Sequence, residues 1–278
     1  MHNRNISSKN RQINTVTSID GTLIAYERSG SGPPLVLVPP GGSNDHTRWE
    51  AGGVLTAFAK TFTVYAMDNR GLGMSGDGLD YDLEREFEDV AAVVDSIPEP
   101  AILLGHSFGA FLSLEAALRT ENLRALVLYE PPIPVGGHEL VSEKILDEMT
   151  GLLAKGEQEE VLLKFLTAIA GIPPEEVNTL RKVPNWQNRV KWAHTLPRQI
   201  RGVREYAFAP ERFQNLTTPT LLLTGSQSPL LYRDATAAVN KALPNSRLIA
   251  FEGHGHLATL TATERFIEAV TTFIHGLD

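Results

Sequence analysis

The fold is decided by the stretch Gly105-His106-Ser107-Phe108-Gly109. It follows an apolar run at residues 101–104, which predicts a buried strand, and it opens a helical pattern at residues 108–119. A serine between such elements lies on a tight turn that pushes its hydroxyl out of the sheet. The flanking glycines leave room where the strand and helix backbones come close. The spacing therefore predicts a nucleophile, Ser107.

Short apolar runs alternate with helical patterns along most of the chain. Besides the run at 101–104, we predict strands at residues 35–38, 62–67, 123–129, 220–224 and 247–251, with an opening hairpin at 14–18 and 22–28. Further helices are predicted at residues 83–96, 232–242 and 262–275. This alternation is typical of the α/β class, with a mostly parallel central sheet flanked by helices.

One segment interrupts the alternation. Residues 133–216 read as several helices separated by prolines, with no convincing strand among them. We therefore predict a core formed by residues 1–132 and 217–278, and a helical cap inserted at residues 133–216.

Composition excludes several classes of function. A net charge of −8 argues against nucleic acid or anionic lipid as a partner, and no apolar run is long enough to predict a membrane span. The first dozen residues lack the apolar region of a signal peptide, so we expect a cytoplasmic protein. With no cysteine, thiolate metal sites and a cysteine nucleophile are excluded. No ligand spacing indicates a metal, and we predict chemistry without metal or organic cofactor.

Three further stretches occur in the order found in one large family. They are residues 36–42 (Val-Leu-Val-Pro-Pro-Gly-Gly), residues 68–75 (Asp-Asn-Arg-Gly-Leu-Gly-Met-Ser) and residues 253–256 (Gly-His-Gly-His). With the serine motif, they make the chain resemble the α/β-hydrolase superfamily over nearly its whole length. The resemblance implies an oxyanion hole formed by the backbone N–H of Phe108 and one from the loop, Gly42 or else Gly41. Pro40 stands where many relatives carry a histidine.

The same resemblance implies a base, His256, which matches the family's Gly-x-Gly-His spacing. His254 reads as a residue of the same loop, and His106 as one that packs near the top of the sheet. The acid departs from the common pattern. Many relatives carry Gly-x-x-Asp-Pro after the penultimate strand, whereas Ser228 stands at the aspartate position here.

Glu130, at the end of the strand at 123–129, is the natural replacement for the acid. This placement resembles lactone hydrolases of the zearalenone type and some haloalkane dehalogenases. Asp234 is the runner-up, and the alternative for Glu130 is an exposed strand-end carboxylate. Asp68 and Arg70 read as a pair that fixes its own loop, and Asp89 as a solvated or capping carboxylate.

These residues predict a Ser-His-Glu triad that cleaves a carboxylic ester or lactone through an acyl-enzyme. We expect an uncharged substrate with an apolar body. Candidate contacts are Trp186, Trp192, His194, Phe165, Leu166 and Tyr206, although aromatic residues at helical spacing more often pack a core. His46, Arg48 and Trp49, just past the oxyanion loop, are further candidates at the mouth of the pocket, or else they only close the loop. Two alternatives stay open: a carbon–carbon bond hydrolase on the same triad, and a receptor-like relative with low turnover. The sequence leaves the oligomeric state open, a homodimer included.

Overall fold

The computed structural model describes residues 12–78, 80–172, 174–182 and 185–277. Its centre is one sheet of eight strands: β1 (Gln12–Thr17), β2 (Leu23–Gly30), β3 (Pro34–Val38), β4 (Thr63–Met67), β5 (Ala101–His106), β6 (Leu123–Tyr129), β7 (Thr220–Gly225) and β8 (Ser246–Phe251). Each predicted strand is found with its ends within two residues. The spatial order is β1-β2-β4-β3-β5-β6-β7-β8.

Strand direction confirms the predicted α/β class. The opening hairpin of β1 and β2 is antiparallel, and β2 also pairs antiparallel with β4. From β4 through β3 to β8 every pair is parallel. The carboxyl ends of these parallel strands therefore meet at one edge of the sheet, where loops collect functional side chains.

Eleven α-helices are found in the described residues: α1 (Val54–Phe58), α2 (Leu83–Asp95), α3 (Phe108–Ala116), α4 (Glu143–Ala154), α5 (Gln158–Lys164), α6 (Pro174–Leu180), α7 (Trp186–Lys191), α8 (Leu196–Glu205), α9 (Leu230–Ala242), α10 (Ala258–Thr261) and α11 (Thr263–His275). Within the described ranges, no helix is both long and apolar enough to cross a membrane.

The core is divided between the two faces of the sheet, because alternate residues of a strand point to opposite sides. In β3, Val36 and Val38 pack with residues of α2, α3 and α9, whereas Leu35 and Leu37 pack with residues of α1 and α11. Helix α3 is buried along its whole length. Helix α3, which begins directly after Ser107, is therefore packed against other parts of the chain on all of its faces.

Between β6 and β7 the chain forms the helical segment, which comprises α4 to α8 and contains no strand among its described residues. It has a hydrophobic cluster of its own, in which Leu146, Met149, Leu162 and Trp186 are buried. The predicted division into a core and an inserted cap, with its boundaries, stays a prediction.

The expected Asp68–Arg70 pair and the expected solvated Asp89 are both wrong. Arg70 is fully buried and donates two hydrogen bonds to Asp89, at 2.7 and 2.8 Å, and one to Asp20, at 2.8 Å. Asp68 instead accepts from the backbone N–H of His46 and of Met74. The long arginine side chain crosses from its own loop to helix α2, a contact that sequence proximity does not indicate.

Candidate active site

Four loops at the carboxyl edge of the sheet bring the predicted catalytic groups together. Gly42 follows β3, Ser107 follows β5, Glu130 follows β6 and His256 follows β8. The first three of these strands are neighbours in the sheet, and β7 separates β6 from β8. The sheet topology therefore collects residues that are far apart in sequence.

Ser107 lies on a strained turn. Its backbone has φ 54° and ψ −123°, and its N–H donates to the carbonyl of Tyr129 at 2.8 Å. A Cβ on Gly105 would come within 2.3 Å of the carbonyl oxygen of Gly109, and one on Gly109 within 2.4 Å of the carbonyl oxygen of Val38. No side chain fits at such distances. Glycine at 105 and 109 is what allows the turn.

Glu130 is completely buried and faces His256, the predicted base. Its Oε2 lies 2.6 Å from Nδ1 of His256, and its Oε1 accepts from the Thr224 hydroxyl at 2.8 Å and from the Gly225 N–H at 2.7 Å. Burial by itself would raise the pKa of Glu130, but the hydrogen bond and charge of His256, followed by the Ser228 hydroxyl and the N–H of Gly225, lower it below its ordinary value. Glu130 is therefore an ionised acceptor for the imidazole.

Among the described residues, three that are not glycine have positive φ: Ser43 at 56°, Ser107 at 54° and Glu130 at 51°. Two of them are the predicted nucleophile and acid, and the third directly follows Gly42. Such conformations cost on the order of 1–3 kcal/mol each and persist where surrounding contacts impose them. Strain is thus concentrated at this edge of the sheet.

Two aromatic side chains, those of Tyr129 and His106, form hydrogen bonds with the backbone of the loop that carries His256. The Tyr129 hydroxyl donates to the Gly255 carbonyl at 2.5 Å and accepts from the Ala258 N–H at 3.1 Å. His106 Nε2 lies 3.0 Å from the carbonyl of His256. Because a carbonyl only accepts, Nε2 of His106 carries the proton. Burial, followed by the charges of His256 and Arg48, lowers the pKa of His106 well below its ordinary value, which keeps the ring neutral.

Tyr232 packs on His256, the predicted base, a contact that the sequence did not indicate. Its ring is stacked on that of His256, with centroids 4.0 Å apart and an angle of 14° between planes. Tyr232 lies on α9, three residues after Pro229. With Glu130 at its Nδ1 and Tyr232 on its face, the His256 ring is held in one orientation. No hydrogen bond links His256 to the Ser107 hydroxyl in the described part of the chain, and such bonds often tighten only when substrate binds.

A cavity of about 40 Å³ adjoins Ser107. Gly41, Gly42 and Phe108 line it, as do Phe165, Leu196, Ile200 and Tyr232. The N–H of Phe108 is at the first position of α3, where a helix offers no acceptor. The N–H groups of Gly41 and Gly42 also have no acceptor among the described residues. The three residues considered for an oxyanion hole, Phe108 with Gly42 or else Gly41, therefore line this cavity, and their role stays a prediction.

Three of the predicted substrate contacts lie elsewhere. Trp186 is buried in the hydrophobic cluster of the helical segment, and its indole N–H donates to Glu159 at 3.3 Å. Trp192 is half-buried outside the cavity wall, and His46 is hydrogen-bonded to Asp68 at 2.8 Å. Their role in binding stays a prediction. The cavity in this structure is lined by residues of α8 and by Phe165, which was also a candidate from the sequence.

Asp234, the alternative acid, and His254, the other histidine of the loop, each contact a residue outside the predicted triad. Asp234 accepts from His138 at 2.8 Å, and His254 contacts the Thr261 hydroxyl at 3.1 Å. Ser228 is buried at the position where many relatives carry the aspartate. Of the carboxylates considered from the sequence, Glu130 is the one that the structure brings to His256.

One polar side chain of the cavity wall, that of Gln199, is hydrogen-bonded to Glu86 in the core. Gln199, on its wall, donates to Oε1 of Glu86 at 3.0 Å, and Tyr81 donates to the same oxygen at 2.9 Å. Glu86 is buried, and its Oε2 has no partner in the described structure. Burial raises the pKa of Glu86 to about 7, against the lowering effect of Gln199 and Tyr81. The contact ties α8 of the helical segment to α2 of the core.

One cluster has the composition of a metal site. Asp45, His46 and Asp68 are buried, with candidate ligand atoms within 4.8 Å of one another. The His46 Nδ1 contacts Asp68 at 2.8 Å, while Asp45 accepts from the N–H of Thr47 at 3.1 Å. Burial alone would lower the pKa of His46, but Asp68 and its other acidic neighbours raise it. These atoms are already engaged in fixing the loop.

Comparisons with known proteins agree with this geometry. The model of the alpha/beta hydrolase family matches residues 35–269. An alpha/beta hydrolase from Sphaerobacter thermophilus is 33% identical, with a TM-score of 0.76 over 91% of this chain and 99% of that one. An esterase from a Rhodococcus species is 27% identical, with a TM-score of 0.75 over 96% and 99%. The 2-(acetamidomethylene)succinate hydrolase of Mesorhizobium japonicum is 25% identical, over 91% of each chain. With a family model spanning most of its length and the sheet order and serine turn described above, the chain belongs to the alpha/beta hydrolase family.

Proposed function

We propose that the chain is a serine hydrolase that cleaves a carboxylic ester or lactone with Ser107 as nucleophile, His256 as base and Glu130 as acid. The observation that carries this proposal is the 2.6 Å contact between His256 Nδ1 and Glu130 Oε2, at the edge of the sheet that also presents Ser107. The usual loop aspartate is replaced by Ser228, so Glu130 supplies the carboxylate that a triad needs.

The chemistry follows from the proton positions. Nδ1 of His256 donates to Glu130, which leaves Nε2 as the nitrogen that takes the proton of Ser107 when its oxygen attacks the carbonyl carbon. The oxyanion of the tetrahedral intermediate is bound by the N–H of Phe108 and that of Gly42 or Gly41. His256 returns the proton to the leaving alcohol. Water then attacks the acyl-enzyme by the same route and releases the acid.

The choice of an ester or lactone is supported by the surroundings of Ser107. The wall of the cavity is mostly apolar, and the Rhodococcus relative is an esterase. The Mesorhizobium relative is a hydrolase of a different substrate, so family membership alone does not define the bond. In our proposal the helical segment acts as the cap that selects the substrate. A cytoplasmic location and a homodimer stay predictions.

Labelling with a fluorophosphonate tests the nucleophile, and hydrolysis of p-nitrophenyl butyrate tests the reaction. We expect mass spectrometry to find the label on Ser107, and Ser107→Ala to lose both labelling and turnover. Ser246→Ala is the matched control, since it removes a serine hydroxyl that bonds to the carbonyls of Asn240 and Leu243 at the amino end of β8, and it should keep both. Turnover by Ser107→Ala at the wild-type rate would refute the proposal. Labelling of Ser107 without turnover of any ester or lactone would favour the carbon–carbon hydrolase or the receptor.

A further inference from the structure

The wall of the cavity beside Ser107 is mostly apolar, and none of the described residues that line it is charged. Apart from Ser107, the polar side chains among these described residues are those of Gln199 and Tyr232. The Tyr232 ring is stacked on His256, which gives that side chain a role with the predicted base. The triad does not explain why a glutamine stands at position 199.

Gln199 interrupts the apolar face of α8. Leu196, Ile200 and Val203 line the cavity from the same helix, and their spacing puts them on one face together with Gln199. Gln199 is buried, so its amide costs desolvation at a position where leucine would not. Because buried polar groups in proteins are nearly always hydrogen-bonded, each end of this amide needs a partner.

Glu86 fixes the orientation of the Gln199 amide. The amide Nε2 donates to Oε1 of Glu86 at 3.0 Å, and the Tyr81 hydroxyl donates to the same oxygen at 2.9 Å. Burial raises the pKa of Glu86 to about 7, and above that pH its carboxylate only accepts hydrogen bonds. Gln199 must then present its N–H to Glu86, and its amide oxygen is directed elsewhere.

The amide oxygen of Gln199 is an acceptor without a donor. It accepts no hydrogen bond within the part of the chain that the structure describes, and, unlike Oε2 of Glu86, it is not enclosed by protein atoms. The cavity is the open space that Gln199 lines. A donor for this oxygen therefore has to come from the molecule that fills the cavity.

A purely structural role does not account for Gln199. Helix α8 is already joined to the loop between β4 and α2 by Arg198, whose two terminal nitrogens donate to Asp77 at 2.9 and 2.8 Å. Gln199 also leaves Oε2 of Glu86 without a partner among the described residues, so it does not satisfy that buried carboxylate. What its contact with Glu86 does provide is an amide held in one orientation on the cavity wall.

We propose that Gln199 selects the substrate, because its amide oxygen accepts a hydrogen bond from a hydroxyl group of the ester or lactone. This inference rests on the proposed function and deepens it: the substrate is uncharged and mostly apolar but carries one hydroxyl. A hydroxyl is a small donor that suits a cavity of about 40 Å³, and no carboxylate among the described lining residues would balance a cationic donor. Glu86 is a positioning residue that acts through Gln199.

Two pairs of esters test the inference, one for each side of the bond that is cleaved. The acyl pair is p-nitrophenyl 3-hydroxybutyrate and p-nitrophenyl 3-methylbutyrate, and the alcohol pair is 2-hydroxypropyl butyrate and isobutyl butyrate. Within a pair a hydroxyl replaces a methyl group. At pH 8, where Glu86 is mostly ionised, we expect the wild type to hydrolyse the hydroxyl member of one pair with the higher kcat/KM. That pair shows which side of the substrate contacts Gln199.

Gln199→Met removes the acceptor and keeps the length of the side chain. In this variant the ratio of kcat/KM for the hydroxyl and methyl members should fall about 3- to 10-fold, the effect of one neutral hydrogen bond. The methyl member itself should be hydrolysed faster, because no acceptor is left unpaired when it binds. Loss of folded protein cannot produce such opposite changes. The control Gln187→Met replaces an exposed glutamine of α7 and should keep the wild-type ratio.

The wild type provides a second measurement that needs no variant. The methyl ethers of the two hydroxyl esters keep the oxygen but lose the donor, and they should be hydrolysed no faster than the methyl members. If the wild type prefers the hydroxyl member of neither pair, or if Gln199→Met keeps the wild-type ratio, the inference is overturned. Hydrolysis of the esters in that case leaves the proposed function standing.

Binding separates a failure of the proposed function from a failure of this inference. If the wild type hydrolyses none of the esters, the proposed function fails, and ligand-observed NMR measures their binding to the wild type and to Gln199→Met. Tighter binding of a hydroxyl member than of its methyl match, lost in the variant, supports the inference on its own. Equal binding within both pairs, or no binding, overturns it.

Discussion

His256 and Glu130 are separated by 126 residues in the chain and by 2.6 Å in space, from Nδ1 to Oε2. The carboxylate comes from the end of β6, one strand away from the loop in which many relatives carry the acid. Its other oxygen is held by Thr224 and Gly225, which belong to the end of β7. Strand β7 thus positions the acid without supplying it.

We expect Glu130→Gln to lower kcat for an ester by about 10³- to 10⁴-fold, because the amide cannot stabilise the imidazolium that forms when Ser107 loses its proton. Steady-state kinetics with p-nitrophenyl butyrate measures this effect. Asp234→Asn, which changes the alternative acid, should keep wild-type turnover. If Asp234→Asn and not Glu130→Gln were the inactive variant, the acid assignment would be wrong.

Tyr232→Leu should lower kcat about 2- to 10-fold, with a smaller effect on KM, because the stacked ring holds the imidazole in orientation and such aromatic pairs contribute about 0.5–1.5 kcal/mol. Tyr232→Phe keeps the ring and should restore most of the rate. Steady-state measurement of kcat and KM for both variants separates the effect of the ring from that of the hydroxyl. Equal losses in the two would mean that the hydroxyl is the important group and not the stacking.

Gly109→Ala should lower the free energy of unfolding by about 3 kcal/mol or more, since the new Cβ would lie 2.4 Å from the Val38 carbonyl oxygen and 2.5 Å from that of Pro39. Gly151→Ala is the matched control, because its Cβ on the exposed side of α4 meets nothing within 4 Å. That variant should gain about 0.5–1 kcal/mol. Urea denaturation compares them, and a wild-type midpoint for Gly109→Ala would contradict the packing argument.

Glu86 should make stability depend on pH. Its pKa of about 7 in the folded state exceeds the ordinary 4.5, so the folded state binds more protons. The contribution of Glu86 to the free energy of unfolding is fully present below pH 4.5 and is lost as the pH rises through 7. The loss is at most about 3 kcal/mol. Glu86→Gln should remove this decline in urea unfolding measured at pH 5 and pH 8. Glu88→Gln on the same helix is the control, and a decline that persists in Glu86→Gln would assign it to other groups.

The sheet could be predicted from the sequence because its signals are local. Each of the parallel strands contains a short apolar run, and the glycines of residues 105–109 are required by contacts with residues close in the chain or in the next strand. The position of Glu130 at a strand end placed it at the same edge as Ser107. Its contact with His256 was predicted in this way, and the structure shows that contact.

Most of the cavity wall was beyond such reasoning, although Phe165 was a candidate from the sequence and lines the cavity. Apolar periodicity indicates that α7 and α8 each have a buried face, but not what covers that face. Trp186 therefore packs within the helical segment, while Leu196 and Ile200 line the cavity. The stacking of Tyr232 on His256 depends on the packing of elements far apart in sequence, and no local pattern indicates it.

The end of β6 also links activity to folding. Tyr129 is paired with His106 of β5 and with Leu223 of β7, and it anchors the loop of His256, while the next residue, Glu130, contacts the base itself. A slip of β6 by one residue would turn its side chains to the opposite faces and remove both contacts at once. A refolded chain with that error could be compact and rich in secondary structure, yet inactive. Recovery of turnover would then report correct strand pairing, which circular dichroism cannot distinguish.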